Sequence, residues 1–445
     1  MKIALIGAGW AGMAAAVEAT RVGHHAIVFE ASRTLGGRAR AVNSRLPDGT
    51  PVTLDNGQHI LIGAYTETLR LMQFVGVSPA TALQRLPMTL LSPDGQGVQF
   101  PNWPTPLDAL AGIATARGWT LADKGSLLRA ATGWQWRRFQ CDAALSVAQL
   151  CQGLSPRVLD QLIEPLCVSA LNTPSDRASG QVFLRVLKDA LFGVQGGANL
   201  LLPRVDLSAL FPDAAARWLT QQGGEIRLGT RVNTLSQQDG QWQVNGELFD
   251  AVILAASASE SARVLESSAL ITNAGHAEKI QNWVRTARAL SFEAITTVYG
   301  WGRGVTLAHP MLTLRGHTGD AKTAPAPAQF VFDRGQLGGP PGLLAFVISA
   351  STGEREVLQA QVLIQAQKQL SLSLQAVQTV VEKRATFACT PGLQRPAQTI
   401  VAGLVACGDY LDGPYPATLE GAIMSGLTAA KACLMTDQTF SINPH

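Results

Sequence analysis

Five apolar or basic residues, Lys2-Ile3-Ala4-Leu5-Ile6, run directly into Gly7-Ala8-Gly9-Trp10-Ala11-Gly12. An alanine-rich stretch continues to Val22, and His25-Ala26-Ile27-Val28-Phe29 ends at Glu30. The order reads as strand, glycine turn, helix, strand and acid. Each part has its own job in holding a dinucleotide. Gly7 turns the chain, Gly9 lets backbone approach a pyrophosphate, and Gly12 lets helix and strand pack closely. The helix N-terminus, opened by Trp10 and Ala11, faces phosphate charge. Glu30, followed by Ala31, can accept hydrogen bonds from a ribose. Such an opening reads as a βαβ unit that holds a dinucleotide, against the alternative of a glycine-rich turn in an ordinary α/β protein.

The 445 residues suffice for two or three domains. Hydrophobic residues make up 47% and charged residues 15%, whereas about a quarter of a soluble chain is usually charged. The surplus of apolar side chains suits a large core, an apolar substrate tunnel or a membrane-facing surface. A net charge of +3 is too small to argue for nucleic acid, and no basic block is present. The six cysteines (Cys141, Cys151, Cys167, Cys389, Cys407, Cys433) form no CxxC pair and lie at no metal-ligand spacing. They read as buried free thiols, and no metal is expected. The first strand begins at residue 2, which leaves no room for a leader, and no apolar run is long enough to span a bilayer. The expectation is a cytoplasmic chain, free or lying on a membrane surface.

Residues 107–191 show apolar spacing of three and four and read as helical. A helix is expected over 207–222 and strands over 225–228 and 231–235, with His24 and His25 in a loop. A meander is expected over 242–249 and a buried strand over 250–255. Strands are also expected at 296–299, 329–332 and 343–348, and a helix at 354–374. This outlines a discontinuous nucleotide domain (1–75, 196–265, 385–435), a mainly helical cap (76–195) and a strand-rich substrate domain (266–384).

Three further segments carry chemistry. Leu35-Gly36-Gly37-Arg38 adds a second glycine pair and a cation, which suits two phosphates and a large ring system. In Asp55-Asn56-Gly57-Gln58-His59, Gly57 permits close approach to a flat ligand, while Gln58 and His59 can hydrogen-bond at a ring edge. Near the C-terminus, Leu404–Cys407 leads into Gly408-Asp409, and Pro416-Ala417-Thr418-Leu419 opens a helix. Asp409 can bind a ribityl hydroxyl, and the helix offers its positive end to a pyrophosphate.

Taken together, Gly7, Gly9, Gly12, Glu30, Gly36, Gly37, Arg38 and Asp409 resemble the FAD-binding pattern of amine oxidases, protoporphyrinogen oxidase and carotenoid desaturases, with Val232 matching a residue on the adenine side. The implied fold is α/β, a Rossmann-like FAD-binding domain of the GR2 type with an interleaved substrate domain of mixed sheet plus helical cap. A closer resemblance, to the hydroxysqualene dehydroxylases of bacterial hopanoid synthesis, is carried by 55–65, 164–173, 331–334, 383–387 and 416–422. The chain departs from many of those relatives at Tyr410, where they carry tryptophan after the Gly-Asp.

The resemblance implies an apolar C30 isoprenoid alcohol as substrate, squalene as product and reduced FAD as electron source. Loss of an allylic hydroxyl needs an acid, a long apolar tunnel and a dry pocket. Glu164, His59 and Asp55 are the leading candidate acids, with Asp412 and Tyr415 behind them. Glu164 lies among apolar residues, where burial can keep it protonated, although Arg157 is within reach as a partner. Segment 103–139 combines Trp103, Trp119, Trp134, Trp136 and Phe139 with Arg117, Lys124, Arg129, Arg137 and Arg138, which suits either an anionic membrane interface or a cap with buried tryptophans. A carotenoid-type desaturase and a non-catalytic flavin-bound scaffold remain open alternatives. An amine oxidase fits less well: such enzymes often place a lysine near the flavin, and residues 280–350 hold only Lys322.

Overall fold

The computed structural model describes residues 1–268, 274–316 and 325–438; Lys322 lies outside the described residues. Its frame is a six-stranded sheet in the order Glu225–Leu228, His25–Glu30, Lys2–Ile6, Ala251–Leu254, Leu404–Ala406 and Thr399–Val401. The first five strands are parallel and the last is antiparallel. Strands from the two ends of the chain are thus joined through Ala251–Leu254. His25 is the first residue of its strand, paired with Lys2, and not part of a loop.

The first helix, Trp10–Arg21, is buried from Trp10 to Ala19 because it is covered on two sides. One side lies on the sheet and the other on the last helix, Leu419–Gln438. A side chain at Gly426 would lie 2.2 Å from the Ala11 carbonyl oxygen. Small residues on both helices allow this approach, which explains the alanine-rich stretch. Glu18, within that buried helix, is held by Arg21 at 2.8 Å.

A second, antiparallel sheet has the order Met311–Thr313, Phe330–Asp333, Leu343–Ile348, Phe292–Trp301 and Gln375–Phe387. Its last strand was hidden in the sequence by Gln375, Gln378, Glu382, Lys383 and Arg384. Those residues suit a strand at a sheet edge, where polar side chains meet water. The meander Leu235–Gln238, Gln241–Val244 and Glu247–Phe249 forms as expected, but residues 231–234 are not a strand. The hairpin Ala41–Arg45 with Pro51–Asp55 carried no strong apolar alternation and was not foreseen.

The helix expected over 207–222 is broken in two, Leu207–Leu210 and Pro212–Gln221. Pro212 has no N–H to continue the first helix and pushes Phe211 out of helical geometry. Proline has a similar effect in the cap. Pro165 cannot donate to the carbonyl of Gln161, and residues Leu159–Ile163 widen into a π-helical turn before the helix Glu164–Leu171. No helix among the described residues is long and apolar enough to cross a membrane.

Asp55 ends the hairpin and holds this frame to the second sheet. Its Oδ1 accepts the Leu207 N–H at 2.8 Å, and its carbonyl accepts the Tyr299 hydroxyl at 2.9 Å. Burial pushes the carboxyl up to about 6, against the opposing pull of Arg334 and the Leu207 N–H. A buried carboxyl with a raised value is neutral in both states at low pH. It costs stability as pH rises from the unfolded value toward the folded one, because only the unfolded chain then ionises freely. Asp55→Asn keeps an acceptor for Leu207 without that cost. Relative to the parent, the variant should gain on the order of 2 kcal/mol between about pH 4 and about pH 7, read from urea unfolding. An unchanged difference across that range would contradict the assignment.

Candidate active site

The turn at Gly7 and the close packing at Gly12 follow the pattern their spacing predicts. Gly7 has φ +118°, and its N–H donates to Phe29 O at 2.8 Å. A side chain on Gly12 would meet the Gly7 carbonyl oxygen at 2.0 Å, so helix and strand touch there. A side chain on Gly9 would meet no atom within 4 Å, because that backbone opens onto a cavity. Glu30 braces the turn: its carboxylate accepts the N–H groups of Ala8 and Ser32, both at 2.7 Å. The second glycine pair docks against the first. Gly36 N–H donates to Ala8 O at 2.9 Å, and a side chain on Gly37 would lie 3.3 Å from Gly9 Cα.

The cavity has a volume of about 560 Å³. Gly7, Gly9, Trp10, Ala11, Glu30, Ala31, Gly36, Gly37 and Arg38 line one part of it. Gly57, Gln58, His59, Val232, Gly408, Asp409, Ala417 and Thr418 also lie on its wall. Gly12 sits behind the turn and acts through packing. Arg38 and Asp409, 371 positions apart, form an ion pair at 2.5 Å, and Arg38 also donates to the Ala385 carbonyl. Both were expected to meet a ligand separately, yet they meet each other at the wall. The start of the last helix is held there by Glu420, a buried carboxylate that accepts the N–H groups of Glu67 and Thr68 at 2.9 and 2.8 Å. Val232 is buried in an irregular segment, and its carbonyl accepts from Arg263 at 3.3 Å.

One stretch of the remaining wall is apolar. Val168 and Ala170 come from the helix Glu164–Leu171, Ile60 from the segment after Gly57, and Ile295, Phe330, Phe332 and Val347 from the second sheet. Asn172 closes the gap between these two layers. It ends its helix in the left-handed region at φ 45°, its Nδ2 donates to Thr386 Oγ1 at 3.0 Å, and its Oδ1 accepts the Ala350 N–H at 2.7 Å.

The three candidate acids fare differently. Asp55 is not on the cavity wall; it is engaged as described above. Glu164 is not on the wall either: its helix presents Val168, Ser169 and Ala170 instead. Arg157, the partner considered for Glu164, pairs with Asp123 at 3.3 Å. His59 is on the wall, but burial lowers its proton affinity. Its Nδ1 lies 2.8 Å from Gly57 O, so that nitrogen carries the proton and Nε2 is left as an acceptor. Of the two further candidates, Asp412 is largely exposed beside Arg395, and Tyr415 packs on Arg185. Tyr410, at the position of the departure, is buried on the wall, hydrogen-bonded to Ser261 and edge-on to Trp283.

Sequence reasoning missed Glu382, Asn172, Thr386 and Tyr65, all on the wall. Glu382 pairs in register with Ile295 and accepts from Asn56 Nδ2 at 3.1 Å. Recognising the edge strand would have paired it with that apolar wall.

This arrangement can take two kinds of ligand in contact. Open glycine backbone, two helix N-termini and a ribose-competent carboxylate fit a dinucleotide with its pyrophosphate. The apolar wall fits a hydrocarbon.

A family model described as flavin containing amine oxidoreductase matches residues 10–434. The chain is 25% identical to a hydroxysqualene dehydroxylase of Sinorhizobium fredii over 98% of this chain and 99% of that one. It is 26% identical to a hydroxysqualene dehydroxylase of Rhodopseudomonas palustris, covering 97% of each. An oxidoreductase from Methanosarcina mazei has the same fold, with a TM-score of 0.69 and 16% identity over 97% of this chain and 100% of that chain. The glycine turn, the joined chain ends and a match over nearly the whole length lead to one conclusion: the chain belongs to the flavin-containing amine oxidoreductase family, whose cofactor is FAD and whose members are oxidoreductases.

Proposed function

We propose that this protein reductively removes the hydroxyl of hydroxysqualene to give squalene. The observation that carries the reading is a nucleotide cradle and an apolar wall sharing one cavity, in a chain similar over nearly its full length to hydroxysqualene dehydroxylases. In this reading Gly9, Gly36, Gly37 and the starts of the first and last helices hold the FAD pyrophosphate, and Glu30 holds the adenosine ribose. As the C–O bond breaks and the hydroxyl leaves as water, the carbon gains a C–H bond, and reduced FAD, when bound, would supply that hydride. The protein's own side chains position the alcohol, exclude water and deliver a proton to the departing oxygen. Val168, Ala170, Phe330 and Phe332 shield the allylic carbon from water, which would otherwise recapture it. We assign the proton to Glu382, the carboxyl beside Ile295 on the apolar wall. A C30 hydrocarbon dwells in bilayers, so peripheral membrane contact belongs to this reading.

Two outcomes test it. A Cβ at Gly9 meets no atom within 4 Å, so Gly9→Val should fold with normal circular dichroism and lack flavin absorbance. Flavin retained at the parent level would contradict the cradle. Anaerobic incubation of the reduced protein with hydroxysqualene should yield squalene. Glu382→Gln should slow that conversion by about a hundredfold with flavin still bound, while Glu164→Gln leaves it within about twofold. No squalene from the parent would overturn the function, and an unaffected Glu382 variant would overturn the acid.

A further inference from the structure

We propose that the outer face of the helix Leu121–Trp136 docks the protein on an anionic lipid bilayer. A surface helix normally turns polar residues outward. Here Leu121, Gly125, Leu128, Thr132 and Trp136 follow one another at spacings of three and four, so they share one face. That face is the exposed one: Leu121 is 87% exposed, Trp136 89% and Leu128 40%. The opposite face buries Asp123, Leu127 and Trp134. The chain then turns through Arg138 and Phe139, both at positive φ. This tucks Phe139 inward against Phe192 and leaves Trp136, Arg137 and Arg138 outside. Trp119 is buried as well, so the aromatic segment divides into a packed half and an exposed half. In the preceding segment Trp103, Leu107 and Leu110 are exposed as well.

Charge selects the partner. Segment 103–139 has two acids, Asp108 and Asp123, and both are buried. Arg117, Arg129, Arg137 and Arg138 are exposed and form no ion pair among the described residues. An apolar stripe ending in tryptophan and bordered by unpaired arginines matches the boundary between acyl chains and anionic headgroups. A second copy of the chain fits less well, since a two-fold contact would set these cations against one another. The helix Arg355–Leu370 offers a contrast. It also exposes Val357 and Ile364, but charges of both signs lie close by at Glu354, Arg355, Glu356 and Lys368.

The test uses the flavin-loaded protein without any isoprenoid, so its outcome is separate from that of the proposed reaction. The parent should sediment with vesicles of phosphatidylglycerol in phosphatidylcholine, less with phosphatidylcholine alone, and less as salt is raised. Leu121→Asp and Trp136→Asp, both at solvent-exposed positions, should each weaken partitioning by about tenfold. Ile364→Asp should leave it unchanged. Failure of the parent to sediment, or full binding by both Leu121→Asp and Trp136→Asp, would overturn the proposal. So would a dimer that Leu121→Asp converts to monomer without affecting vesicle binding, since a second copy would then occupy the face.

Discussion

The first helix can lie against the first strand only because nothing projects from Gly12. A single methyl there would sit 2.0 Å from the Gly7 carbonyl oxygen. That contact fixes the helix axis, and the helix in turn sets three other positions. Its open first turn faces the cavity at Gly9. Its outer side receives the last helix at Gly426, with a similarly tight approach to the Ala11 carbonyl. The turn before it receives Gly36 and Gly37. Residues more than 400 positions apart are therefore placed around one cavity by close backbone contact, before any charged group takes part.

Charge then joins the pieces that packing has brought together. Arg38 and Asp409 link the region after the second glycine pair to the end of the fifth strand, and Arg38 reaches the edge strand of the second sheet as well. Glu420 does the same for the last helix, using its buried carboxylate on the N-terminus of the helix Thr66–Phe74. A carboxylate without a cation is tolerable there because it accepts backbone N–H groups at the positive end of that helix. Asn172 fastens the cap to the second sheet with an uncharged side chain. One part of the cavity is thus polar and built from backbone, and the other is apolar and built from side chains of two different layers.

The nucleotide half was legible in the sequence because its requirements are local. Glycine at three spacings, an acid at a strand end and a second glycine pair leave few structural solutions. The apolar half was harder to read, because it depends on pairings between distant strands. Glu382 lies in a polar stretch whose strand character shows only when Phe292–Trp301 is beside it. Glu164 looked favourable because its neighbours are apolar, but the turn of its helix directs Val168 and Ala170 to the cavity. Asp55 sits in the right segment, yet it serves the helix that starts at Leu207. Composition signalled surplus apolar surface and could not divide it between core, cavity and exterior. Trp119 and Trp136, in one stretch of sequence, went to opposite fates.

In the proposed reaction the flavin and an isoprenoid alcohol meet within this one cavity. Rapid anaerobic mixing of the photoreduced holoprotein with hydroxysqualene tests it most directly, with flavin absorbance followed in time. The flavin should reoxidise in a single turnover, with a rate that saturates in hydroxysqualene and one squalene formed per flavin. A flavin that stays reduced in the presence of saturating hydroxysqualene would contradict it.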